Sequence, residues 1–168
     1  FEADSLVKRR LEAVPNDDRA KLMEQQIERR ISEYRTRLID QYKERLTLNP
    51  TDSTALKAMA QHYNAQGDME KAIDTYDDYL RLYPNDYEAK LNRAYLYNWT
   101  GKPYDAIDEF TQLTYVEQYR QEAQLGLAEA YVMANENLEE AERIFRARLE
   151  GDPENNRLRL GLAETLRH

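Results

Sequence analysis

Cysteine is absent from this chain. That excludes disulfides, thiolate nucleophiles and cysteine-held metal centres. It leaves the compartment open, because cytosol and periplasm are equally compatible with it. Glycine and proline number only five each, so helices should dominate. No low-complexity tract is present. No apolar run approaches the ~18 residues that a membrane helix needs, and mean hydropathy is −0.93. Membrane insertion is therefore not expected. Catalytic residue types are also scarce. Serine occurs only at positions 5, 32 and 53, each near a helix start or on a charged helix, and His62 is the single internal histidine. No glycine-rich phosphate loop occurs, and the carboxylate runs Asp74/Asp77/Asp78 and Glu139/Glu140/Glu142 lack the spacing of a calcium loop. The chain begins at Phe1 without a signal pattern and reads as a fragment or processed form. Neither an enzyme nor a cofactor protein is expected.

Charge is unevenly distributed. Residues 1–50 carry 11 Lys/Arg and 10 Asp/Glu, whereas residues 51–168 carry 13 and 22, a net −9. An acidic region of this kind argues against nucleic acid or an anionic membrane as the partner, and fits a basic or neutral polypeptide.

The chain repeats itself every 34 residues, with one step of 35. Ala60, Ala94, Ala128 and Ala163 form one ladder, and Tyr63, Tyr97, Tyr131 and Leu166 a second. Ala72, Ala106 and Ala141 form a third, each four residues before an aromatic at Tyr76, Phe110 and Phe145. Gly67 and Gly101 sit between ladders, and Pro50, Pro84 and Pro153 punctuate them. A period in this range means one supersecondary unit stacked on copies of itself, and such stacks are surfaces for binding. Within residues 53–86, Ser53 is expected to cap a first helix reaching about Ala65, with Leu56, Met59, Ala60 and Tyr63 on one face. A turn at Gln66–Asp68 leads to a second helix, Met69–Leu82, with Ala72, Ile73, Tyr76, Tyr79 and Leu80 inward. Residues 87–120 repeat this: a helix over 87–99, Pro103 at the first position of the next, and that helix ending near Val116. Residues 121–155 repeat it again, with Asn135-Glu136-Asn137 in place of the glycine turn. A last helix, about 155–167, opens a fourth unit, and Leu125-Gly126-Leu127-Ala128-Glu129 recurs there as Leu160-Gly161-Leu162-Ala163-Glu164.

Residues 1–50 read differently. A short helix over Asp4–Val14 precedes a break at Pro15. A long helix then runs from about Asp17 to Leu48, roughly 45–50 Å at 1.5 Å per residue. Its apolar positions, Ala20, Met23, Ile27, Ile31, Tyr34, Leu38 and Tyr42, recur every eleven residues, close to a straight helix. Tyr42, Leu46, Leu48 and Pro50 echo Tyr76, Leu80, Leu82 and Pro84. This segment is expected to cap the repeats or to join two copies of the chain.

These ladders resemble the tetratricopeptide repeat family over about residues 36–168, although Leu56, Lys90 and Leu125 stand where the early Trp is usual. The resemblance implies an all-α, right-handed α-solenoid of antiparallel helix pairs, about three full units and one terminal helix. It implies a protein–protein interaction module whose first helices line a concave groove. Carried over by position, the groove residues are Thr54, Lys57, Gln61, Asn64 and Ala65, then Glu88, Leu91, Tyr95, Asn98 and Trp99. The third unit supplies Glu122, Leu125, Glu129, Val132 and Met133, and the last helix Arg157, Leu160 and Glu164. Tyr95 is the expected main anchor, because aromatic side chains dominate binding hot spots, and Asn64 and Asn98 can hold a peptide backbone. Glu122 and Glu129 point to a ligand with Lys or Arg beside an apolar side chain. The family's carboxylate clamp is incomplete: Lys57, Gln61 and Asn92 match its first parts, but Glu122 and Gly126 stand where cations belong. Asn98-Trp99-Thr100 is a glycosylation sequon by pattern alone.

Overall fold

The computed structural model describes residues 2–167. Within them lie nine helices and no strand. Contacts divide the chain into two units, Phe1–Pro50 and Thr51–His168.

In the first unit, α1 (Glu2–Ala13) packs on α2 (Asp18–Leu48). The link between them is tied electrostatically. Arg10 Nε donates to Asp17 at 2.8 Å, and the other oxygen of Asp17 caps α2 by accepting the Ala20 N–H at 3.0 Å. Arg10 and these N–H donors hold the Asp17 carboxyl below its usual range. Val7 and Ala20 are buried. Met23 and Tyr34 of the eleven-residue stripe stay exposed, while Ile39, which lies outside it, is buried. With 12 residues against 31, α1 is too short to cover the whole stripe.

The second unit is an all-α solenoid. Its helices are α3 (Ser53–Gln66), α4 (Met69–Leu82), α5 (Tyr87–Trp99), α6 (Pro103–Leu113), α7 (Arg120–Ala134), α8 (Leu138–Gly151) and α9 (Asn156–Thr165). Each packs on the next, and first helices also meet one another, α5 on α7 and α7 on α9. Two local readings are corrected. The cap of α3 is Asp52, whose carboxylate accepts the Ala55 N–H, so Ser53 is already helical. A carboxylate also suits the positive end of the helix dipole. And α6 stops at Leu113, short of Val116. Thr114 bonds back to Thr111, and turns fill the stretch to Tyr119, where Gln118 replaces the proline of the other boundaries. Asn135 and Asn137 both adopt positive φ, a conformation that asparagine tolerates better than most residues, which is how the third unit manages without glycine.

The ladders are the core. Ala60, Ala94, Ala128, Ala72, Ala106 and Ala141 are fully buried, and so are Phe110 and Phe145. Ala163 is exposed, since α9 has no following helix among the described residues. The aromatic of each second helix presses on the next first helix. A Cβ on Gly126 would overlap the Phe110 ring, and one on Gly161 would stand only 2.5 Å from the Phe145 ring. At the first junction the matching pair is Tyr76 and Asn92, joined by a hydrogen bond, and burial pushes the Tyr76 hydroxyl up to about 12. Glycine at 126 and 161 is therefore a packing requirement, which explains the echo of Leu-Gly-Leu-Ala-Glu. Two consequences are measurable by denaturant unfolding. Ala106→Leu should lower stability by about 1–3 kcal/mol through overpacking. Gly126→Ala should also destabilise, although alanine is the better helix former by about 1 kcal/mol. A rise in the midpoint for Gly126→Ala would contradict the contact with Phe110.

Ion pairs lock successive units. Asp86 caps α5 through the Ala89 N–H and also accepts from Lys57 Nζ at 2.9 Å and the Tyr79 hydroxyl at 2.7 Å. Lys57 reaches Glu88 as well, at 2.7 Å. Burial opposes ionisation of Asp86, but these donors outweigh it and lower its pKa. Arg93 of α5 forks onto Glu109 of α6, at 3.0 and 2.6 Å, and also pairs with Asp77 of α4.

Candidate functional site on the first helices

Helices α5, α7 and α9 carry one continuous groove of about 880 Å³. The sequence sets this up: buried alanines and aromatics fix one face of each first helix, and the 34-residue period aligns the faces left over. Trp99, Met133 and Leu160, one from each helix, line the groove at 57%, 51% and 60% exposure. Single exposed apolar side chains are ordinary, but three converging on one groove make it the candidate binding surface.

Tyr95 lies beneath this surface, only 8% exposed. Its ring stacks on Trp99 at 5.9 Å and meets the Phe110 edge at 5.0 Å, and its hydroxyl donates to the Glu122 carbonyl at 3.3 Å. Burial pushes that hydroxyl up to about 12. The Arg157 guanidinium lies 5.5 Å from the same ring. Arg157 is held by Glu129, with two parallel hydrogen bonds, one of 2.7 Å. Such forks are the strong geometry of charged pairing. Glu129 raises the Arg157 pKa further above its usual value.

Asn98 is 3% exposed and lines the groove. Its Nδ2 donates to the Gly126 carbonyl at 3.1 Å, and its Oδ1 is buried without a partner. The sequon asparagine thus presents its amide to the protein rather than to solvent, and Thr100 bonds back to Leu96.

Of the residues expected to line a groove, Asn98, Trp99, Glu129 and Val132 come together here, with Met133, Arg157, Leu160 and Glu164. Leu91, Tyr95, Leu125 and Val132 are buried. Leu91 and Tyr95 pack with Phe110, and Leu125 and Val132 with Phe145. The positional rule gathers side chains that face a neighbouring helix along with those that face solvent. Lys57, Gln61 and Asn64 stand on α3, outside this groove, and Lys57 is engaged by Asp86 and Glu88. Gly161, Phe145 and Arg167 also line it. Sequence reasoning did not place them there, although Gly161 was visible in the pentapeptide echo. Among the described residues, no three metal-ligating side chains cluster, and no helix is long and apolar enough to cross a membrane.

A family model for the tetratricopeptide repeat matches residues 53–96. Curated protein sequences gave no match. Among solved structures, a tetratricopeptide repeat protein from Parabacteroides merdae ATCC 43184 superposes with a TM-score of 0.67 at 26% identity. That similarity covers 97% of this chain and 64% of the other, so the chain spans less than two thirds of that relative. A thermophilic tetratricopeptide protein of Thermus thermophilus gives 0.55 at 21% identity, over 98% and 89%. The first such domain of Spaghetti (RPAP3), bound to an HSP90 peptide, gives 0.58 at 23% identity, over 68% and 90%. The ladders, the solenoid of helix pairs and these likenesses agree on a tetratricopeptide repeat fold, with the family's repeat itself matched over residues 53–96.

Proposed function

We propose that this protein is a non-catalytic interaction module that binds an extended segment of a partner protein along α5, α7 and α9. The observation that carries this reading is the convergence of Trp99, Met133 and Leu160 on one open groove. A solenoid offers such a face because each unit contacts only its neighbours and leaves one surface of every first helix free. The related Spaghetti domain is bound to a peptide, which supports the same general use here. The ligand class differs, since Glu122 and Gly126 replace the cations of a carboxylate clamp. In this reading Trp99 is the anchor, because it is exposed and lines the groove, and Tyr95, buried beneath it, is its support. Hydrogen exchange on the complex with a captured partner tests the reading. Protection should concentrate in α5, α7 and α9, and protection confined to α4, α6 and α8 would refute it.

A second reading rests on α2, which exposes Leu22, Met23 and Tyr34. Two copies joined through that face would make the chain a self-assembling scaffold. Light scattering separates the two: the interaction module is a monomer when purified, the scaffold a dimer or larger.

A further inference from the structure

The buried Asn98 oxygen has no account in the packing of the fold. Buried polar atoms nearly always have partners, and an unpaired acceptor is costly. The orientation of the amide is fixed, because the Gly126 carbonyl accepts from Nδ2 and could not face the oxygen instead. Oδ1 is therefore the orphan. It belongs to a side chain that lines the groove, one residue before the exposed Trp99.

We propose that Asn98 Oδ1 accepts a main-chain N–H from an extended, net-basic peptide segment whose apolar side chain rests on Trp99, Met133 and Leu160. This rests on the reading of the groove as a polypeptide site. An extended chain suits the geometry, since it offers an N–H every residue and can lay one side chain across three parallel helices. Net-basic character follows from charge. Residues 51–168 carry −9. Glu129 is neutralised by Arg157, and Glu164 and Arg167 line the groove without an ion pair among the described residues, so the groove itself is balanced and the preference for a net-basic segment comes from the negative charge of the surrounding unit. Because Oδ1 has almost no exposure in the free protein, binding includes a local shift of the side chains that cover it. Trp99 is the single tryptophan, so its emission reports occupancy directly.

The test titrates the full chain with an array of capped heptapeptides. Each has a central Leu, Ile, Met or Phe flanked by lysines or by glutamates. The best binder is then remade as a series N-methylated at one main-chain position at a time. Expected are a saturable change in Trp99 emission, tighter binding of the lysine-flanked set, and one N-methyl position that weakens binding about tenfold while the others change it little. If Trp99 responds but every N-methyl position is tolerated, the Asn98 contact is wrong and the groove reading stands. If glutamate flanks bind better, the basic character is wrong. If no peptide alters Trp99 emission, the groove reading fails and the proposal with it.

Discussion

Replacing Arg93 by methionine should cost about 3–5 kcal/mol of stability at neutral pH, because it strands a buried carboxylate. Glu109 is almost fully buried, and Arg93 is its forked partner while also holding Asp77. The substitution keeps most of the aliphatic stem, so lost charge dominates over lost packing. Burial already raises the Glu109 carboxyl above its ordinary 4.5, against the opposing pull of Arg93. A raised carboxyl means that the folded state binds its proton more tightly than the unfolded state does. Stability attributable to this group therefore falls as pH rises from about the ordinary value through the folded one. Without Arg93 the rise is larger. The deficit of Arg93→Met should consequently shrink on acidification toward pH 4. The double variant Arg93→Met/Glu109→Gln should recover much of the loss at pH 7. Denaturant melts of the unsubstituted protein and the two variants at both pH values decide the matter. A deficit that is the same at both, and unrelieved in the double variant, would show that the pair contributes only packing.

The second large effect concerns binding. Trp99→Ala should weaken a partner's affinity by at least about 2 kcal/mol, the scale of a hot-spot aromatic. Its indole is mostly exposed in the free protein and rests on the Tyr95 ring from the solvent side, so the fold should tolerate the change. Tyr95→Ala is a different experiment. It removes a ring packed against Phe110 and within cation–π range of Arg157, so it should lower stability and affinity together. The outer control must be chosen with the ion pairs in view. Asp77 is unsuitable because it pairs with Arg93, whereas Asp108 is exposed on α6 and forms no ion pair among the described residues. Asp108→Ala should leave affinity within a factor of two. Titration of a captured partner against the three variants, each first checked by its melt, measures these effects.

The repeat architecture was readable in the sequence because it is written in small and aromatic residues at fixed spacing. Ala72 with Tyr76, Ala106 with Phe110 and Ala141 with Phe145 are all buried as their spacing demands. Helix limits were less legible. Asp52 and Ser53 are both good caps, and only the carboxylate geometry chooses between them. At Gln118 no proline marks the boundary, so nothing local signalled that α6 ends at Leu113. The site was only partly legible. A positional rule identifies the inner helices but not which of their residues turn toward the next helix. Asn98 stands one residue and Tyr95 one turn before Trp99, rotations of about 100° and about 40° around the helix axis, and these take them from the surface into contact with Gly126 and Phe110. The Arg157–Glu129 fork joins residues 28 apart. It depends on the superposition of two units, and no single segment contains its signal.

The central claim is that polypeptide is bound on the face built by α5, α7 and α9. Site-specific photo-crosslinking tests it most directly, with benzoylphenylalanine placed in the full chain at Met133, at Asp108 or at Leu22, and the adducts sequenced by mass spectrometry. Adducts carrying one recurring partner segment from position 133, and none from 108, are predicted. Adducts from position 108 would place the interface on the outer helices. Adducts only from position 22, and only to another copy of this chain, would make the protein a self-assembling scaffold and contradict the account.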